Sequence, residues 1–511
     1  MRKNFLIEEN SQNPANQPPL LVKSIDANIE CFTHIFHNDE TLKVRRFQNK
    51  YLATASCCVI YIDGMVNTDI LNENIIQPIL YHNLEEKINR NNLLEEIQSK
   101  IIASSSVEMF NDIEILVNCL IEGDTILLLN NYDQALCISS KGWKTRSLSE
   151  PESARVVRGP KEGFTEAIMT NITLIRRIIK NKDLKFKFKE IGVRTRTKTC
   201  ICYIEDLALE EILNELENRL AEINIDAILD SGYIQELIRD APFSLFETVG
   251  YSERPDVVAA KLLEGRIALI VDGSPFVLTV PYVFIEGLQA NEDYYNNFLF
   301  ASFNRLLRSA AMIIAISLPA IYLATVAYHQ ELIPTPLLLS ISASRQGVPF
   351  PTSISLLFML VIFDVIREAG IRMPSAIGQA VNIVGTLVIG QAIVEAQLVS
   401  APVVIISAVS GIMKLLSPTT IGPIAIIRLF LLLFASLMGI YGYLFGMILI
   451  IVHLMNVRSF GVPYMLGMSS MKNHNGQDIW IRAPWWSMTL RPKIIGAKNL
   501  VRQTVNKSKR K

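Results

Sequence analysis

The sequence predicts an α/β soluble N-terminal region of two tandem related subdomains, followed by an α-helical multi-pass transmembrane domain. Three observations predict it. Residues 309–457 form an apolar block with only nine Asp, Glu, Lys or Arg residues: Glu331, Arg345, Asp364, Arg367, Glu368, Arg372, Glu395, Lys414 and Arg428. The part before it is charged and alternates short β-rich runs with helix stripes, and its motifs recur once at a fixed offset. At 511 residues and 50 % hydrophobic content the chain is too long for one domain and too apolar for a wholly soluble protein.

Residues 1–28 are rich in Asn, Gln and Pro, and 1–49 is assigned as a mobile N-terminal segment. Arg2 and Lys3 precede no apolar core, so this stretch is not a signal peptide. The first cytoplasmic α/β subdomain is placed at 50–157. It opens with the β-rich run from Cys57 to Asp63, and a helix follows over 68–81, with apolar residues at 70, 71, 75, 76, 79 and 80. A second helix over 91–102 leads to a strand near 104–110. Glu122-Gly123-Asp124 then opens a β-hairpin whose arms, 126–129 and 135–139, flank the turn pair Asn130-Asn131.

The second subdomain, 185–300, repeats this order. Cys58-Val59-Ile60-Tyr61-Ile62 aligns with Cys200-Ile201-Cys202-Tyr203-Ile204, and Glu122-Gly123 with Glu264-Gly265, each 142 residues on. Between the two lies 158–184, read as a linker helix entered through the interdomain motif Arg158, Gly159, Pro160, Glu162, Phe164 and Glu166. Phe164, Ile168, Ile172, Ile175 and Ile179 make one apolar stripe, while Arg176, Arg177 and Lys180 are expected to be solvated on the other side. The Gly-rich entry fits neither a Walker A nor a dinucleotide fingerprint.

All seven cysteines (31, 57, 58, 119, 137, 200, 202) fall in this half, and an odd number spread along strands is a poor disulfide framework. Cys200 and Cys202 lack a matching His or Cys pair and read as packed strand residues. No cofactor, no metal and no catalytic constellation is expected: the six histidines are scattered and no Ser-His-Asp arrangement stands out, so the chain does not read as an enzyme.

The transmembrane domain is placed at 301–457, with spans at about 309–328, 353–369, 375–398 and 424–455. The stretch 400–416 is short, opens at Ala401-Pro402 and carries Lys414, so it is read as re-entrant or interfacial. A break of 424–455 near Gly439 and Gly442, giving six crossings, is the alternative. Asp364, Arg367, Glu368 and Arg372 form a candidate interfacial charge cluster in which Asp364 and Arg367 partly neutralise each other. Gln379, Asn382, Gln391 and Glu395 make the third span too polar to face lipid and are the candidate pore or buried polar residues. Lys414 and Arg428 are expected at interfaces. The tail, 458–511, holds eleven Lys or Arg and one acid, Asp478; with Arg305 and Arg308 before the first span, it puts both ends in the cytoplasm.

Several motifs in order resemble the A subunit of the GerA-type nutrient germinant receptors of spore-forming bacteria. They are Arg158-Gly159-Pro160 with Glu162-Gly163-Phe164-Thr165-Glu166, Glu253-Arg254-Pro255-Asp256 to Gly265-Arg266, Val271-Asp272-Gly273-Ser274-Pro275-Phe276, Pro349-Phe350-Pro351 with the 364–374 stretch, and Ser417-Pro418. The resemblance covers roughly 50–465. It implies a receptor in the spore inner membrane that works beside a transporter-like B subunit and a lipoprotein C subunit, and that self-associates into a ligand-gated ion conduit. Membrane lipid and monovalent cations are the other partners implied; nucleic acid is not. A ring of Glu395 side chains would favour cations. A secondary transporter subunit or a non-conducting membrane scaffold is the alternative, although no inverted repeat is visible in the membrane block.

Overall fold

The structure is a computed structural model that describes residues 20–52, 56–82, 93–104, 106–142, 151, 156–373, 385, 388–466, 478–491 and 498–502. These divide into two compact units. One holds described residues of 1–155, 160–237 and 251–279, the other those of 156–159, 238–250 and 280–511.

The first unit is built from one plan used twice. Helix α1 (Ile25–Ile35), capped by Ser24, precedes β1 (Leu42–Gln48) and β2 (Ser56–Ile62). Next come α2 (Thr68–Ile70), which runs on through a π-type turn into α3 (Gln77–Tyr81), and α4 (Leu93–Glu96), extended by a second such turn. Strand β3 (Val107–Phe110), α5 (Ile113–Glu122), β4 (Thr125–Leu129) and β5 (Ala135–Ile138) complete a sheet ordered β1-β2-β4-β5-β3. The second copy runs α6 (Ile168–Ile178), β6 (Leu184–Ile191), β7 (Thr197–Ile204), α7 (Glu210–Glu222), α8 (Ser231–Ile238), β8 (Gly250–Ser252), α9 (Pro255–Leu262), β9 (Ile267–Val271) and β10 (Val277–Val280). Its sheet order, β6-β7-β9-β10-β8, is the same.

The repetition extends to single hydrogen bonds. Asn28 Nδ2 donates to Val22 O at 2.6 Å and Asn28 Oδ1 accepts from Val22 N at 3.0 Å; Asn171 does the same with Thr165, at 2.6 and 2.8 Å. Leu21 N donates to Asn111 O at 2.9 Å, and Phe164 N to Glu253 O at 2.7 Å. Gly123 and Gly265 both close their helices in the left-handed region, at φ 93° and 92°, where a side chain would be strained.

Two expectations are corrected here. The segment 1–49 is not mobile throughout, since residues 25–48 supply α1 and the edge strand β1. The helix expected to link the subdomains is instead the first helix of the second copy, the counterpart of α1. The first copy therefore starts well before residue 50 and the second before 185.

Both sheet faces are covered, which is why the central strands are apolar without interruption. Cys58, Ile60, Ile62, Ile126 and Leu128 pack with α1 and α5, while Cys57, Val59, Leu127 and Leu129 pack with the helices of 68–101. The second copy packs Cys200, Cys202, Ala268 and Ile270 with α6 and α9. Burial pushes the Cys57 thiol up to about 12 and raises those of Cys200 and Cys202, which makes them inert packing groups.

The copies are joined through α6. Arg176, expected to be solvated, is 0 % exposed and donates to Asp39 Oδ2 at 2.5 Å and Thr41 Oγ1 at 3.2 Å, with its guanidinium over the Phe186 ring. Arg177 and Lys180 do stay on the surface side and pair with Glu162 and Glu122.

The second unit is helical. After α10 (Glu292–Tyr295) come α11 (Phe298–Ala327), α12 (Thr335–Arg345), α13 (Thr352–Arg372), α14 (388–395), α15 (Ala401–Lys414) and α16 (Ile421–Asn456). Two helical stretches among the described residues, Phe298–Ala327 and Pro418–Asn456, are long and apolar enough to cross a membrane; α15 is apolar but shorter. Helix α16 breaks at Gly439 (φ 60°, ψ −136°), where a Cβ would lie 2.9 Å from the Tyr328 side chain. Each half is close to the shortest length, about 17 residues, that spans hydrocarbon.

Residues 238–250 and 280–300, expected in the second α/β subdomain, pack with the helical unit. Ser244 Oγ lies 2.9 Å from His453 Nε2, Phe460 N donates to Asp240 Oδ2 at 2.8 Å, and Phe246, Phe284 and Tyr464 stack edge to face or tilted.

Candidate functional site

A cluster of buried charges in the helical unit lies among α11, α13, α15 and α16. Asp364 of α13 accepts from Lys414 Nζ at the end of α15 and from Arg428 Nη2 on α16. Lys414 is 2 % exposed and Arg428 is 0 % exposed. Arg428 also donates to Leu360 O at 3.3 Å and to Ser410 Oγ at 3.5 Å, and Ser410 Oγ donates to Ala315 O of α11 at 2.8 Å. One carboxylate thus serves two buried cations, and Arg428 Nε has no partner among the described residues. Buried ions held this way tie four helices to one geometry.

This corrects one expectation. Asp364 does not neutralise Arg367, its neighbour along the helix; it turns to cations on two other helices. Lys414 and Arg428 are buried within the helical unit. Fully buried cations lose their hydration and need the carboxylate more than a half-buried Arg367 does. Glu368 and Arg372 remain together at the exposed end of α13, 2.8 Å apart.

Of the candidate polar residues on the third span, Glu395 and Gln391 lie on α14. Both are exposed, and Gln391 Nε2 donates to Glu395 Oε1 at 2.8 Å. Gln379 and Asn382 lie outside the described residues.

At the foot of α11, Arg305 is 0 % exposed and donates to Asp293 Oδ2 at 3.3 Å and to Asp478 at 2.8 Å. Arg308 also binds Asp293. The single acid of the basic tail therefore docks the tail against the first long helix. Charge counting marked these arginines only as topology signals, and nothing in the local sequence names their partners.

A second constellation lies within the α/β unit, where motifs distant in sequence meet. Arg254 is 0 % exposed; it grips Asp256 with two nitrogens, at 3.1 and 2.9 Å, and donates to Pro160 O at 2.8 Å. Phe164 is buried in the core of the second copy. Gly273 N donates to Glu166 O at 2.8 Å, Ile168 N to Asp272 Oδ1 at 3.1 Å, and Ser274 Oγ to Asp230 Oδ1 at 2.5 Å. Of the interdomain motif, Pro160, Phe164 and Glu166 join this knot, Glu162 pairs with Arg177 on the surface, and Arg158 and Gly159 fall to the helical unit.

Residues 30–494 match the family described as Bacillus/Clostridium GerA spore germination protein. The chain belongs to the GerA family. An uncharacterized membrane protein of Bacillus subtilis (strain 168), YfkQ, is 39 % identical over 480 residues, covering 93 % of this chain and 92 % of that one. Spore germination protein KA of the same organism is 38 % identical over 494 residues, covering 96 % and 90 %. The crystal structure of the N-terminal domain of the A subunit of the Bacillus megaterium spore germinant receptor GerK3 is 32 % identical, covering 53 % of this chain and 99 % of that one, with a TM-score of 0.43. The motifs that carry the GerA resemblance in the α/β half are those that clasp one another around Arg254 and Asp272.

Proposed function

We propose that this chain is the A subunit of a nutrient germinant receptor in the spore inner membrane and forms an oligomeric, ligand-gated conduit for monovalent cations. In this reading it crosses the membrane several times, keeps its α/β unit and tail in the cytoplasm, and assembles with a transporter-like B subunit and a lipoprotein C subunit. Family membership supports the germination role. Two long apolar helices, flanked by Arg305 and Arg308 on one side and the basic tail on the other, support the membrane placement.

The conduit reading rests on Glu395. It is an acid in the apolar block, exposed in a single copy and held by Gln391 on its own helix. Copies arranged around an axis would turn it into a ring of carboxylates that favours cations. The cluster of Asp364, Lys414 and Arg428 would brace the helices around such a path.

Spores carrying Glu395→Ala should accumulate normal receptor and release ions abnormally when nutrient is added. Unaltered release at normal receptor level overturns the conduit reading and leaves a scaffold. For topology, protease added to the outside of oriented vesicles should spare the tail; cleavage from that side refutes the cytoplasmic placement.

A further inference from the structure

In the first copy of the α/β plan, Cys119 on α5, Asp124 just past Gly123 and Cys137 on β5 bring their ligand atoms within 4.8 Å of one another. Asp124 is 9 % exposed, and its two oxygens are in unequal situations. Oδ2 lies 3.2 Å from Lys141 Nζ, whereas Oδ1 is buried and has no partner among the described residues. A buried carboxylate oxygen left without a donor is costly unless something positive completes it.

The second copy shows what the same place holds there. The residues 142 positions on from Cys119, Asp124 and Cys137 are Lys261, Arg266 and Thr279, and Lys261 Nζ donates to Thr279 Oγ1 at 3.0 Å. Where one copy fills the gap between helix and strand with its own ammonium, the other offers two thiols and a carboxylate. We propose that the first copy binds one zinc ion through Cys119 Sγ, Cys137 Sγ and Asp124 Oδ1.

The chemistry fits. Zinc takes thiolate at about 2.3 Å and carboxylate at about 2.0–2.2 Å in a tetrahedron, so ligand atoms already this close need to shift by about 1 Å or less. Thiolates select zinc over magnesium or calcium. Binding releases the two thiol protons to solvent. Two thiolates and a carboxylate around a divalent ion leave one negative charge, which Lys141 on Asp124 Oδ2 offsets. The fourth position falls to water or to Glu108, which faces Cys137 across the β3–β5 ladder. The sequence alone suggested no metal here, because the two cysteines stand far apart along the chain and no ligand-spacing pattern links them.

The test uses the full chain purified in detergent, stripped with chelator and loaded with zinc or cobalt. One zinc per chain after dialysis is expected, with thiolate-to-cobalt charge-transfer and tetrahedral d–d bands for the cobalt form. Cys137→Ser and Asp124→Asn should weaken binding by more than the roughly 10–100-fold that outer-shell changes cost, with circular dichroism reporting the fold. The wild-type cobalt spectrum decides the matter even if a variant misfolds. Absence of the thiolate bands, unchanged stoichiometry in the folded variants, or a Cys119–Cys137 disulfide in place of bound metal would each overturn the site.

Discussion

Asp364 carries a larger share of the helical unit's stability than either of its cations. Replacing it with Ala leaves Lys414 and Arg428 buried without a carboxylate, a loss of about 3–5 kcal/mol. The expected outcome is a much lower thermal midpoint in detergent for Asp364→Ala than for Lys414→Met, which leaves the contact with Arg428 intact. The same reasoning applies to Arg176 and Asp39, both fully buried at the junction of the two α/β copies. Arg176→Ala should cost about 3–5 kcal/mol because it strands Asp39, and adding Asp39→Ala should cost less than the sum of the single changes, as a denaturation cycle would show. Thiol chemistry makes a third check. Cys57, Cys58, Cys200 and Cys202 are each 0 % exposed and burial raises all four thiols. In native protein at neutral pH an alkylating reagent followed by mass spectrometry should modify Cys31 well before any of these four.

Among the elements, the hairpin of β4 and β5 was legible because turn residues and apolar runs agree. Strand β1 was not. Its sequence, LKVRRFQ, is mostly exposed and pairs on one side only with β2, so it carries the charges that suit a sheet edge and little apolar alternation. Without β1 and α1 in view, α6 had no counterpart and read as a linker. The matched left-handed caps give a quantitative consequence: Gly123→Ala and Gly265→Ala should each destabilise the α/β unit by about 1–2 kcal/mol, and a clear loss at only one of them would show that the caps are not equivalent. In the helical unit, Gly439→Ala places a methyl against Tyr328 at a backbone angle that L-residues avoid, at a cost of about 1–3 kcal/mol. A lower thermal midpoint is expected, and an unchanged one would mean the break in α16 is not built around this glycine.

At the scale of the whole molecule, composition was enough to separate a charged α/β half from an apolar helical half, and a fixed offset was enough to show that the first half repeats itself. Both are properties of the chain in order: hydropathy reports which segments leave water, and equal spacing survives folding. The GerA motifs were legible for the same reason, as strings at known positions. Partnership was not. Helical periodicity reveals only neighbours on one helix and so offers Asp364 the partner Arg367, while the structure gives it Lys414 and Arg428 from helices 50 and 64 residues away. Asp478 and Arg305, and Arg254 and Pro160, are likewise brought together by packing across 173 and 94 residues of chain. Sequence by itself determined the class, the duplication and the family of this protein. Tertiary structure decided which charges are buried and what neutralises them, because desolvation is a property of the surroundings and the surroundings exist only once the elements have packed.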